Sequence, residues 1–236
     1  AVAVDGGLTG PPEPGSDSFE YDSYAWNVAQ GHGYRGISPD VRDPEHVTAY
    51  RPPGTSLAWA GVYVLFGHRY AAVRVFHVLV GTATILLVYW IGQFCFGRLA
   101  GLLAAGVYTV WPTSLLYSGA LLSEPLGTFW LMGYVAASLS FARRPSGSRA
   151  LWAGLLLGLS ILTRPNAGLM VPLAGLWAVY QFRRHTRVVV LALAIPALSL
   201  LALAPWAFRN YVVFDTFIPI STGGGDVFLG ANNSVI

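Results

Sequence analysis

Residues 71–94 read AAVRVFHVLVGTATILLVYWIGQF, and this stretch decides the fold class. Its single Asp, Glu, Lys or Arg is Arg74, near the start. As a helix rising about 1.5 Å per residue it is long enough to cross a hydrocarbon core of roughly 30 Å. Working outward, further apolar runs occupy 99–118 (with Pro112), 125–142, 150–163, 166–182 (with Pro172) and 188–208 (with Pro196 and Pro205). Interior Pro is tolerated in membrane helices because neighbouring groups re-satisfy the freed carbonyl. The expectation is an all-α, polytopic transmembrane helical bundle with about six spans, of which 150–163 is short and partly re-entrant. Residues 55–66 are too few to span and read as an interfacial helix, opened by Pro52-Pro53.

Composition agrees. Of 236 residues, 54% are hydrophobic and 11% are charged; mean hydropathy is +0.53. Soluble domains carry about a quarter charged residues, so half that density excludes a soluble enzyme and a disordered chain. A lone cysteine, Cys95, excludes a disulfide scaffold. All 14 basic residues are Arg, and they are scattered between apolar runs. The net charge of +3 therefore does not mark a nucleic-acid partner, which needs a clustered basic face.

The placement of the charges sets the orientation. If 71–94 runs inward, the inner loops hold Arg98, Arg143, Arg144, Arg149, Arg183, Arg184 and Arg187, with no acid. All 11 acids then face outward. Short positive loops stay cytoplasmic, so residues 1–70 are expected to form the first extracytoplasmic loop, with juxtamembrane helices. Residues 71–208 form the transmembrane bundle, and 209–236 begin a later extracytoplasmic loop. A polar segment of that length needs something upstream to translocate it, and the chain starts with Ala1 and stops in a Gly/Asn-rich loop. It reads as a piece of a longer integral membrane protein of a bacterial plasma membrane, with its working face outside.

Candidate chemistry lies on that outer side. Asp17, Glu20 and Asp22 open a helix read over 17–30, capped by Ser16 or Asp17 and ended by Gly31 and Gly33. They either complement the helix dipole or supply a general base. Glu124, beside Ser123 and Pro125, is either part of a helix N-cap or functional. Arg51, Arg74, Arg164 and Arg209 sit at outer ends of apolar segments. They either snorkel to headgroups or use their planar forks on an anionic, membrane-borne ligand such as a lipid phosphate. Residues 222–226 and Asn232-Asn233 form either a flexible loop or a close backbone approach to a ligand. His32, His46 and His68 lack ligand spacing. A metal held mainly by Asp17 and Glu124 would be oxygen-ligated, with Mg²⁺ or Mn²⁺ character.

An ordered set of motifs resembles the GT-C membrane glycosyltransferases, and within them the family 39-like group with the protein O-mannosyltransferases and the lipid A aminoarabinose transferase. It comprises Asp17-Ser-Phe-Glu-Tyr21, Tyr50-Arg51-Pro52-Pro53-Gly54, Phe66-Gly67, Arg74, Phe96-Gly97-Arg98, Leu122-Ser123-Glu124-Pro125, Leu162-Thr163-Arg164-Pro165, Pro205-Trp206, Arg209-Asn210, Gly223-Gly224 and Gly230-Ala231-Asn232-Asn233. The resemblance implies transfer of a sugar, with inversion, from a polyprenyl- or dolichyl-phosphate donor to an extracytoplasmic glycan, lipid or protein acceptor. It makes Asp17 the first-loop base or acceptor-orienting group. Glu124 becomes the second-loop acid, for metal or acceptor, and Arg51 a neutraliser of the lipid phosphate, where some members have Lys. Tyr21, Arg74, Arg164 and Arg209 join as substrate-binding candidates, with membrane lipids as surroundings. The rival readings are a non-catalytic or degenerate family member and a transporter. Transport wants ionisable residues along a path through the spans, whereas here only Arg74 and His77 lie inside an apolar run.

Overall fold

A computed structural model describes residues 10–13, 15–39 and 41–225. The end of the Gly/Asn-rich loop, with Asp226, Asn232 and Asn233, lies outside the described residues, as do residues 1–9. The described chain is all-α. Two short helices, α1 (Asp17–Ala29) and α2 (Pro53–Phe66), precede a bundle of α3 (Tyr70–Phe96), α4 (Arg98–Val110), α5 (Pro112–Gly119), α6 (Glu124–Arg143), α7 (Gly147–Thr163), α8 (Met170–Phe182) and α9 (Thr186–Phe214).

Local chemistry sets the boundaries. Ser16 caps α1 by accepting from the Phe19 amide, and Gly31 and Gly33, both at positive φ, end it. Pro53 occupies the first turn of α2, where a missing N–H costs nothing. The expected span 99–118 is two helices. Pro112 disfavours helical geometry at the residue before it, and Trp111 sits extended at φ −64°, ψ 118°. The run 166–182 also divides, because Pro165–Leu169 winds as a 3₁₀ turn and α8 begins only at Met170.

These breaks bear on the expected count of about six spans. Among the described residues three helices are long and apolar enough to cross a membrane: α3, α6 and α9. At about 1.5 Å per residue, α4 and α8, each 13 residues, reach roughly 20 Å alone, short of the roughly 30 Å core. The 17-residue α7 falls between these cases.

Close packing depends on small residues. A Cβ on Gly154 would lie 2.6 Å from Leu198 Cβ, and one on Gly158 would lie 2.5 Å from Ala202 Cβ, so α7 and α9 meet backbone to backbone. Gly92 and Gly101 do the same for α3 and α4. The main core gathers Tyr134 and Phe141 of α6, Leu157 and Ile161 of α7, Ala178 and Phe182 of α8, and Ile195 and Leu203 of α9. A second core of Tyr21, Ala25, Trp59, Tyr63 and Val73 seats α1 and α2 on the start of α3.

The two ends of the bundle differ in charge. At one end the Arg143 guanidinium stacks over Phe94 at 3.8 Å, and Arg149 donates to the Arg144 carbonyl at 2.6 Å. The other end collects α1, α2, the start of α3, the α5–α6 turn and the ends of α7 and α9, together with the described acids near them.

Candidate active site

Three elements build the site: the first turn of α1, the Arg51-Pro52 entry to α2, and the start of α6. Asp17 and Glu20 are one helical turn apart, so both face the same way. Arg51 bridges them. Its Nη2 donates to Asp17 Oδ1 and its Nε to Glu20 Oε2, each at 2.5 Å. Its guanidinium also lies over the rings of Tyr50 (5.1 Å) and Tyr21 (5.6 Å). Asp17 is more than half exposed while Glu20 is buried, with side-chain exposures of 57% and 5%. The arginine, itself only 19% exposed, is therefore held by a buried carboxylate on one side and an exposed one on the other.

The electrostatics follow. Burial pushes the Glu20 carboxyl above its ordinary value of 4.5, against the opposing pull of Arg51. Burial by itself would lower Arg51, but Glu20 and Asp17 outweigh it and hold the guanidinium's pKa above its ordinary value. Tyr34 fixes the backbone beneath, its hydroxyl reaching the Arg51 and Pro52 carbonyls at 3.1 and 3.2 Å. Burial raises that phenol, which keeps it a proton donor.

Glu124 opens α6. Its Oε1 accepts from Arg164 Nη1 at 2.6 Å, and the same nitrogen donates to Ser123 Oγ at 3.3 Å. Its Oε2 is buried without a hydrogen-bond partner. Gly127 makes the ion pair possible, because a Cβ there would collide with the Arg164 stem at 2.6 Å. Tyr21 is buried beside these groups. Burial raises its phenol, a hydrogen bond with the Ser123 side chain opposes that shift, and the charges of Arg51, Asp17 and Glu124 all act on it.

The structure thus brings Asp17, Tyr21, Arg51, Glu124 and Arg164 to one end of the bundle. Arg74 and Arg209 are placed differently. Arg74 is buried, and its Nε donates to the Gly119 carbonyl at 3.1 Å. Three residues on, His77 Nε2 accepts from Trp59 Nε1 at 3.0 Å, so Nδ1 carries the proton and donates to the Ala120 carbonyl at 3.1 Å. Both residues hold the turn that leads to Glu124, which gives the two ionisable groups inside the apolar run a structural task. Arg209 donates to the Thr48 and Tyr34 carbonyls at 2.9 and 3.0 Å, tying α9 to the N-terminal segment. The close approach at Gly223 is to the chain itself: its N–H donates to the Tyr50 carbonyl at 3.1 Å.

Tyr34 is a site feature that the sequence reading does not single out, while Glu20 and Ser123 enter it only as one of three first-turn carboxylates and as a capping neighbour of Glu124. The three-residue spacing of Asp17 and Glu20 was the available signal for Glu20. His68 is engaged by Asp22 at 2.9 Å and stacks on Trp26. Among the described residues no three His, Cys, Asp or Glu side chains come together as a metal set. Asp17 and Glu124 each face an arginine instead. No step of the proposed reaction passes through a metal.

Searches of curated proteins and of solved structures return no match. The family model described as dolichyl-phosphate-mannose-protein mannosyltransferase matches residues 50–208, which include Arg51, Glu124 and Arg164. That match covers more than half of the chain, and with it the chain belongs to the dolichyl-phosphate-mannose-protein mannosyltransferase family.

Proposed function

We propose that this chain carries the transfer site of a membrane glycosyltransferase. It moves a sugar from a polyprenyl- or dolichyl-phosphate donor to an extracytoplasmic acceptor, with inversion. The observation that carries the reading is the pairing of two acid–arginine units at one end of an apolar bundle.

In the reaction an acceptor hydroxyl attacks the anomeric carbon. The bond from that carbon to the phosphate oxygen breaks, and lipid phosphate departs. The acceptor proton goes to Asp17, the exposed carboxylate of the pair. Arg51 and Arg164 offset charge growing on the leaving phosphate, as donors already oriented by their carboxylate partners. Without donor, Arg51 gives one N–H to Asp17 and one to Glu20, two of its five. A phosphate arriving from the exposed, Asp17 side displaces Asp17, which frees that carboxylate to act as base while Glu20 keeps Arg51 oriented. Glu124 receives hydroxyls of the sugar or acceptor. The charge difference between the two ends supports an outward-facing site in a plasma membrane, with the Arg-only end cytoplasmic.

The test is the stereochemistry of transfer by the full-length protein in proteoliposomes. NMR of the product is expected to show the anomeric configuration opposite to that of the donor. Retention of configuration, or no transfer from any lipid-phosphate sugar, overturns the reading.

A further inference from the structure

The end of the bundle away from Glu124 carries a second concentration of charge. Arg143, Arg144 and Arg149 flank the α6–α7 turn, and Arg183, Arg184 and Arg187 flank the α8–α9 turn. Packing sets the two turns side by side. Phe141 and Phe182, just before those arginines, meet edge to face with centroids 5.7 Å apart. From there α7 and α9 run in the same direction, since Gly154 abuts Ile195 and Leu198 while Gly158 abuts Ser199 and Ala202. The α3–α4 junction, with Arg98, joins them through Phe94, which lies under the Arg143 guanidinium at 3.8 Å.

No carboxylate balances this charge. From Pro125 to Phe214 the sequence holds no Asp or Glu, and among the described residues none of these seven arginines forms an ion pair. Six of them are exposed and Arg149 is half-buried. Arg149 donates to the Arg144 carbonyl at 2.6 Å, which holds the α6–α7 turn closed and keeps its charges together. Like charges gathered in this way repel one another, and a bound anion relieves that cost. One turn further into the bundle the surface becomes apolar. Trp152 and Leu151 follow Arg149, Val190 follows Arg187, and Tyr180 lies under Arg183 at 5.2 Å, all of them exposed. Trp and Tyr at this position mark the level of the headgroups. An occupant that satisfies both zones is an amphiphile with an anionic head and hydrocarbon chains. The planar forks of Arg suit the oxygens of a phosphate.

We infer that the α6–α7 and α8–α9 turns together form a binding site for the headgroup of an anionic phospholipid. Its phosphate is shared between arginines of the two turns, and its acyl chains lie along the adjoining apolar faces. The site is at the opposite end from Glu124 and is independent of the reaction proposed above.

The experiment is a titration of the full-length protein, purified in a neutral detergent, with lipid binding read by native mass spectrometry. The probes are phosphatidylglycerol, phosphatidylcholine, whose choline cancels the headgroup charge, glycerol 3-phosphate and a poly-glutamate peptide. The variants are Arg144→Gln, Arg184→Gln and their combination, with Arg42→Gln, an exposed arginine of the N-terminal segment, as control. Thermal unfolding without added lipid verifies folding. Wild type is expected to hold phosphatidylglycerol at least 25-fold more tightly than phosphatidylcholine. Each single variant is expected to weaken phosphatidylglycerol binding about fivefold, the scale of one arginine near an anionic lipid surface, and the combination about 25-fold. Phosphatidylcholine binding and the Arg42→Gln control are expected to stay unchanged. Equal affinity for the two lipids overturns the inference. So does a loss from only one of the two turns, which would mean that they do not share a headgroup, or an equal loss in Arg42→Gln, which would mean diffuse attraction. Binding of glycerol 3-phosphate or of poly-glutamate as tight as that of phosphatidylglycerol overturns it in favour of a soluble anion.

Discussion

At the scale of single residues, the site turns on how Arg51 is shared. Its Nε belongs to buried Glu20 and its outer nitrogen to exposed Asp17. A lysine keeps the charge but loses the fork, since it is a point charge on a flexible stem. Arg51→Lys is therefore expected to lower kcat/KM for the lipid donor about tenfold or more, by loss of a charge-assisted hydrogen bond worth about 1.5–3 kcal/mol; steady-state kinetics check it. Glu20 gives a pH prediction. Burial raises its carboxyl above 4.5, so the folded chain binds this proton more tightly than the unfolded one. The stability this brings is complete below 4.5 and is lost as pH rises through the raised folded value. Across that window the melting temperature of wild type is expected to fall relative to that of Glu20→Gln, as read by thermal unfolding in detergent. Of these residues, Arg51 and Glu124 stood out in the sequence because an isolated charge beside an apolar run is conspicuous, whereas Asp17 was one of three carboxylates on a first helix, singled out by the family resemblance. Glu20 was legible only as one of three carboxylates on a first helix. What separates it is burial against a partner 31 residues away, and local pattern carries no record of that.

At the scale of elements, the apolar runs located every helix of the bundle, but their continuity was harder to read. Hydropathy is blind to the backbone geometry that Pro112 and Pro165 impose, so the run 99–118 became two helices and 166–182 began with a 3₁₀ turn. The contact between α7 and α9 was also hidden, because glycines carry no hydrophobic signal. At Gly158 a Cβ would meet Ala202 Cβ at 2.5 Å and the Ser199 carbonyl at 3.0 Å. Gly158→Val is expected to push the helices apart and to cost about 1–3 kcal/mol, as overpacking does, lowering the melting temperature of the purified protein. Trp59, His77 and the Ala120 carbonyl form a comparable link between α2, α3 and the turn before α6. A histidine in an apolar run reads as transport machinery until both of its nitrogens are seen to be spent.

At the scale of the whole molecule, one end of the bundle is organised by ties between distant segments. Arg209 reaches the carbonyls of Tyr34 and Thr48, and the Thr222 and Gly223 amides reach Ala49 and Tyr50. These ties hold the segment carrying Arg51 against α9. Arg209→Gln is expected to loosen it, seen as faster limited proteolysis within residues 31–48 while the bundle stays intact. The sorting of acids and arginines by side is an expectation from charge alone; what marks one end of the bundle as a candidate site is the pairing of Asp17 with Arg51 and of Glu124 with Arg164. The central claim is that Asp17 and Glu124 serve one transfer site, and it is tested most directly by initial rates of sugar transfer from a polyprenyl-phosphate donor. The full-length protein carrying Asp17→Asn or Glu124→Gln is compared with wild type, with folding verified by thermal unfolding. The account predicts a fall of about 100-fold or more for Asp17→Asn, the scale of a lost general base, and a clear loss for Glu124→Gln. Undiminished transfer by the folded variants would contradict it.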